Sequence, residues 1–178
     1  MATCRGLVSA LREAFVGIGS VRCHVFDVND LEVAEAFWSQ VTGLPVIGSK
    51  WTGRFSYLGQ PEPWKHEIIL QLVTTNKGVE PNRSHIDITP DGGVDDAIER
   101  IIAIGGSLKK EPSVYPRPGS HGGPPVIDWA VMQDPFGNEF CLVHELDDEQ
   151  SQAVLEAARL NPHQGDHQWR IAAGVTRP

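Results

Sequence analysis

Trp129-Ala-Val-Met-Gln-Asp-Pro-Phe-Gly-Asn-Glu-Phe-Cys-Leu-Val143 places two alternating apolar segments on either side of Asp134-Pro-Phe-Gly-Asn138. Pro135 presets φ for a turn position and Gly137 permits positive φ, so the chain reverses there and the flanking segments pair as a β-hairpin. Alternation from that turn puts Glu139, Cys141 and Val143 on one face and Phe140 and Leu142 on the other. One face is apolar and the other carries atoms capable of chemistry.

Upstream the pattern is repetitive. Val21-Arg-Cys-His-Val-Phe-Asp-Val28 has the β-branched enrichment of a strand, and Asn29-Asp30 supplies capping chemistry for a helix from Leu31 to Val41. Gly43 ends that helix, and short strands follow, clearest at Arg54–Leu58 and Glu67–Val73, separated by Pro61-Glu-Pro63. The order then restarts with a strand at Ser84–Thr89 and an amphipathic helix at Val94–Ile104, closed by Gly105-Gly106. A shift of 63 residues lays Leu31 on Val94, Ala34 on Ala97, Trp38 on Ile101, Val41 on Ile104 and Gly43 on Gly106.

Each half therefore reads as a βαβββ unit. One unit leaves a sheet face uncovered by its helix, so two of them are expected to pair and curl those faces about a shared hollow. The fold expected is α+β: two paired modules, about 21–76 and 83–146, form a curved, half-barrel mixed sheet around a central cavity with the helices outside. Residues 1–20 read as an N-terminal helical extension and 147–178 as a C-terminal helix followed by a polar tail that packs loosely or lies at an oligomer contact. Lys109–Pro125, with its prolines and glycines, reads as a long loop over the mouth of the cavity.

At 178 residues and 40% hydrophobic composition the chain can bury a proper core. A net charge of -8 argues against nucleic acid or an anionic membrane as partner and makes a neutral or cationic small molecule easier to accommodate. Cys4, Cys23 and Cys141 form no CxxC pair, which points to a reducing cytoplasm. No apolar run reaches the roughly 20 residues that span a bilayer.

Val25-Phe-Asp-Val-Asn-Asp-Leu31 leading to Phe37-Trp38 and Gly43, then Asn82-Arg-Ser-His-Ile-Asp87, then Asp134-Pro-x-Gly-Asn-Glu-Phe-Cys-Leu142 together resemble the vicinal oxygen chelate superfamily. Within it the pattern is most similar to the glyoxalase-like domain branch of the glyoxalase, bleomycin-resistance and dioxygenase proteins. The resemblance spans Val21 to Glu145. It implies paired βαβββ modules, frequent homodimers and, in the metal enzymes, a divalent ion held by inward-facing residues of four strands. It also implies a cavity for a small organic molecule, used by lyases and isomerases on carbonyl compounds, or for sequestration of drug-like aromatic compounds without chemistry.

The positions matching the family's metal ligands are Cys23, Gln71, His85 and Cys141. Two thiols and an imidazole suit zinc, with water or the Gln71 oxygen as fourth ligand, whereas hard octahedral ions fit badly. The opposing reading is a metal-free interior in which Cys23 and Cys141 pack as small hydrophobes and His85 bonds Gln71. Asp27, Asp87 and Glu139 are candidate proton-transfer groups beside His85, weighed against simple hydrogen bonding at strand ends and, for Glu139, solvation near the turn. Trp51, Tyr57, Trp64 and Trp129 are candidate pocket walls for a planar ligand, weighed against ordinary core packing.

Overall fold

The computed structural model describes residues 21–47, 53–60, 66–120 and 123–175. The expected N-terminal extension, Trp51 and Trp64 lie outside the described residues. In the first module β1 (His24–Val28) leads to α1 (Leu31–Thr42), β2 (Phe55–Gly59) and β3 (His66–Leu72). In the second, β4 (Asp87–Ile88) leads to α2 (Val94–Ala103), β5 (Ser107–Tyr115), β6 (Ile127–Gln133) and β7 (Glu139–Glu145). The chain continues into α3 (Asp148–Leu160) and α4 (Asp166–Ala172).

The sheets run β1-β3-β2 and β4-β7-β6-β5, and an isolated bridge from Val46 to Leu58 adds a rudimentary strand beside β2. Counting that bridge, both modules place their strands in the order first, fourth, third, second. The parallel pairs β1·β3 and β4·β7 close each unit around its helix, as the repeat requires. The result is an α+β fold with two mixed sheets and helices on the outer faces.

Strand alternation decides what faces the helices. Phe26 and Val28 of β1, Ile68 and Leu70 of β3, and Ala130, Met132, Phe140 and Leu142 of β6 and β7 join Ala34, Phe37, Trp38, Val94, Ala97 and Ile101 in one buried cluster. Trp38 stacks on Phe26 at 4.2 Å between ring centroids and meets Phe140 at 5.1 Å, so α1 contacts strands of both modules. Burying each such large side chain contributes about 2–3 kcal/mol.

The repeat extends to the helix ends, with one refinement. Asp30 caps α1 by accepting a hydrogen bond from the Val33 N–H, and Gly43 ends it in the left-handed conformation. In the second module the positive φ falls on Gly105, one residue earlier than the 63-residue shift implies. Gly106 is instead required for space: a Cβ there would lie 2.5 Å from Ile101 Cγ2, 3.0 Å from the Gln133 carbonyl oxygen and 3.0 Å from Phe37 Cε2.

Three expectations need correction. Lys109–Pro125 is not one long loop, because its first part is β5, an edge strand paired antiparallel to β6. Pro112 is accommodated between Lys110 and Ser113, where the register shifts, so its missing N–H interrupts no regular ladder. The C-terminal tail is not loosely packed: α4 buries Trp169 and Arg170 against the outer layer. Glu139 is not solvated but 8% exposed.

Arg170 explains the packing of α4. Its guanidinium donates to both Asp128 oxygens at 2.7 and 2.8 Å and to Asp95 Oδ2 at 2.7 Å, linking the C-terminal segment to β6 and to the first turn of α2. Burial pushes the Asp128 carboxyl up against the pull of Arg170, while the two carboxylates hold Arg170 above its ordinary value despite burial. At the other end, α3 begins with a reciprocal capping box between Asp147 and Gln150.

Candidate functional site

The hairpin turn organises the junction between modules. The Gly137 N–H donates to the Asp134 carbonyl at 3.0 Å and Gly137 has φ 85°, the left-handed residue that lets the turn feed into paired strands. Asp134 Oδ1 accepts from the Phe136 and Asn138 N–H groups at 2.9 and 2.8 Å, and its Oδ2 accepts from Trp38 Nε1 at 3.2 Å. Burial raises the Asp134 carboxyl, opposed by these donors. Asn138 Nδ2 also donates 2.9 Å to the Asp27 carbonyl, tying the second module's turn to the first module's β1.

On the face of β7 away from the helices lie Glu139 and Cys141, as alternation requires. Cys141 pairs with Asp87 of β4 on one side and with Val131 of β6 on the other, and Val131 pairs in turn with Lys110 of β5. Donor atoms of His85, Asp87 and Cys141 all lie within 4.8 Å of one another, with His85 Nε2 3.4 Å from Asp87 Oδ1. His85 and Asp87 are exposed and Cys141 is buried, so the cluster is open on its outer side. Burial and the neighbouring Asp87 push the Cys141 thiol up to about 11.

Glu139 is held differently. It accepts from Lys109 Nζ at 2.6 Å and from the Asn82 N–H at 3.3 Å, with Lys77 Nζ 3.7 Å away. Burial alone would raise its carboxyl, yet the Lys109 and Asn82 hydrogen bonds and the two ammonium charges outweigh it and hold Glu139 below the ordinary carboxylate range. It is therefore an ionised clamp between β7, β5 and the segment entering β4.

The remaining sequence candidates are dispersed. Gln71 pairs with Asp27, and Cys23 lies four residues before Asp27, roughly 13 Å along an extended chain. Cys23 is not part of the His85, Asp87 and Cys141 group. Asp27 lines a hollow of about 450 Å³ at the seam between modules, together with Val25, Arg83, Ser84 and Asn138. A larger groove of about 920 Å³ on the helix side of the same seam takes His24, Val41, Leu44, Asp87 and Ile104. Tyr57 lies on β2 with its ring 5.3 Å from His66. Trp129 lies on β6 under Lys110 Nζ, 3.8 Å from the ring centroid.

Sequence reasoning did not find the roles of Lys77, Lys109 and Lys110. Two of these belong to β5, whose proline and glycine-rich continuation masked a strand, and a strand face cannot be assigned to residues taken as loop.

A family model described as "Glyoxalase-like domain" matches residues 23–143, and the chain belongs to that family. No curated protein matches. Among solved structures, a glyoxalase-related enzyme from Fulvimarina pelagi aligns at 16% identity and a TM-score of 0.51, covering 71% of this chain and 88% of that one. The fosfomycin resistance protein FosX from Listeria monocytogenes, in its monoclinic form, aligns at 22% identity and a TM-score of 0.51 over 71% of this chain and 91% of that one. FosX complexed with Mn(II) and sulfate aligns at 18% identity and a TM-score of 0.50 over 75% of this chain and 98% of that one. These likenesses show a fold shared with a glyoxalase-related enzyme and with FosX, and it is the family match that places the chain in the vicinal oxygen chelate superfamily.

Proposed function

We propose that this protein is a lyase or isomerase of the glyoxalase type acting on a small carbonyl compound, with a divalent ion, zinc by preference, held by His85, Asp87 and Cys141. The observation that carries this reading is the convergence of one imidazole, one carboxylate and one thiol within 4.8 Å on an open sheet face. Nitrogen, oxygen and sulfur donors in that combination are zinc's usual ligands, and three protein ligands leave a position for water or substrate. Bound there, the ion would supply Lewis acidity toward a carbonyl oxygen.

This assignment leaves Asp27 as the carboxylate available for proton transfer. Its side chain has no hydrogen-bond partner among the described residues, and it lines the seam hollow that also takes Ser84, next to His85. Glu139, saturated by Lys109 and Asn82, orients the strand that carries Cys141. Tyr57 and Trp129 would contribute apolar walls to the ligand's surroundings. A cytoplasmic homodimer belongs to the same reading, the compartment supported by the free thiols of Cys23 and Cys141. The Mn(II) complex of FosX supports a metal at this type of fold.

A second reading, metal-free binding of an aromatic compound, is favoured by the Cys141 thiol, pushed up by burial and by the neighbouring Asp87. Metal analysis of untagged protein purified without added metal separates the two. About one zinc per chain, lost in Cys141→Ser and in Asp87→Asn but kept in Cys23→Ser, is the expected result. Metal-free protein whose tryptophan fluorescence is quenched by aromatic compounds would overturn the catalytic reading in favour of sequestration.

A further inference from the structure

We propose that the seam hollow of about 450 Å³ binds a small zwitterionic amino acid with an apolar side chain, its carboxylate on Arg83 and its ammonium on Asp27. The site stands apart from the His85, Asp87 and Cys141 cluster, and its occupation needs neither a metal nor a carbonyl compound. Its volume falls within the roughly 300–1,000 Å³ of small-molecule pockets.

The polar residues that line the hollow divide into two sets. One set holds backbone and so fixes the walls. Asn29 Nδ2 donates to the Val73 and Thr75 carbonyls, both at 3.1 Å, and Asn138 Nδ2 holds the Asp27 carbonyl. Lys77 Nζ donates to the Glu80 carbonyl at 2.7 Å, and the Asn82 N–H is bound by Glu139. Both ends of the segment joining the modules are thereby tied down, one to β1 and the other to β7. A site whose frame is set before the ligand arrives loses less affinity to ordering.

The second set is left over for a ligand. Asp27 and Arg83 line the same hollow, yet they form no ion pair with each other, and neither side chain has a partner among the described residues. The Ser84 hydroxyl beside them is equally unengaged. One wall thus offers an acceptor-only carboxylate and another a guanidinium, whose planar fork fits a carboxylate. Phe26 and Val28 are buried toward the helices, so Val25 and Asp27 share the opposite face of β1. Val25 is 49% exposed there and, with Val73 and Phe136, gives the hollow an apolar wall. Two residues along a strand span about 7 Å, so charge and apolar surface stand one small amino acid apart. Under the catalytic reading a ligand seated there ion-pairs Asp27 and removes it from proton transfer, which makes the hollow inhibitory.

The test is calorimetry of the full chain, without added metal, against three compounds. L-leucine carries both charges, N-acetyl-L-leucine lacks the ammonium and L-leucine methyl ester lacks the carboxylate. Leucine should bind saturably and each analogue about tenfold more weakly, as loss of one charge-assisted contact provides. Arg83→Met should weaken leucine and N-acetyl-leucine and spare the ester, whereas Asp27→Asn should weaken leucine and the ester and spare N-acetyl-leucine. Arg83→Lys should retain most of the affinity for leucine. Both side chains are exposed and unpaired, so the variants leave the core intact. No saturable binding of leucine, an analogue that binds as tightly as leucine, or variants that weaken none or all of the compounds alike overturns the inference. The catalytic reading fails separately, on metal-free purified protein, and that result leaves leucine binding untouched.

Discussion

Replacing Gly106 with alanine tests the packing that joins the modules. The added methyl would lie 2.5 Å from a methyl of Ile101 in α2, 3.0 Å from the Gln133 backbone oxygen in β6 and 3.0 Å from the Phe37 ring in α1. The carbonyl belongs to a paired strand and cannot turn aside, and Phe37 is 1% exposed, so relief requires α1 or α2 to move against the shared core. Overpacking of this kind costs about 1–3 kcal/mol. For a chain of this length each kcal/mol lowers the midpoint by about 2–4 °C, so a cost near 2 kcal/mol predicts a fall of about 4–8 °C. The assay is thermal and urea unfolding of Gly106→Ala beside Gly78→Ala. Gly78 has nothing within 4 Å of an added Cβ and no positive φ, so its replacement should be neutral or stabilising by up to about 1 kcal/mol. A Gly106→Ala protein within about 0.5 kcal/mol of the wild type would refute the close approach of the two modules at this point.

Arg170→Met should cost about 3–5 kcal/mol in urea unfolding, since it strands Asp128, whose side chain is 1% exposed. Replacing Asp128 with leucine in that background should recover much of the loss, and a single Arg170→Met variant as stable as the wild type would show that α4 is not anchored by the ion pair. Glu139→Gln addresses pH dependence. Because the folded-state carboxyl is held below its ordinary value, chiefly by Lys109 and Asn82 against the opposing effect of burial, its contribution is present above pH of about 4.3 and disappears as pH falls through the folded value. The variant should therefore be less stable by about 1–3 kcal/mol near pH 7 and converge on the wild type in acid, as denaturant midpoints across pH would record. A difference that widens toward acid would contradict the clamp.

Much of the fold was legible in local chemistry. The Asp134-Pro-Phe-Gly-Asn138 turn, the Asp30 cap and the helical spacing repeated after 63 residues are short-range signals, and each corresponds to an observed element. The site was partly legible for the same reason. Period-two alternation put Cys141 and Glu139 on one face and placed Asp87 with His85, because that alternation is a property of any extended chain.

The rest depended on contacts between residues far apart in the chain. Register brought Asp87, rather than Cys23, beside Cys141, and it paired Gln71 with Asp27; no local signal encodes which strand residues stand opposite one another. The bulge that turns Lys109 and Lys110 to one face exists only in the pairing of β5 with β6. Arg170 reads as one charge in a polar tail until Asp128 and Asp95, 42 and 75 residues away, surround it. Sequence alone determined the duplicated α+β modules through local propensity and periodicity. Tertiary structure decided which residues meet in the candidate site, because donor convergence and desolvation are set by distance in space and not by separation along the chain.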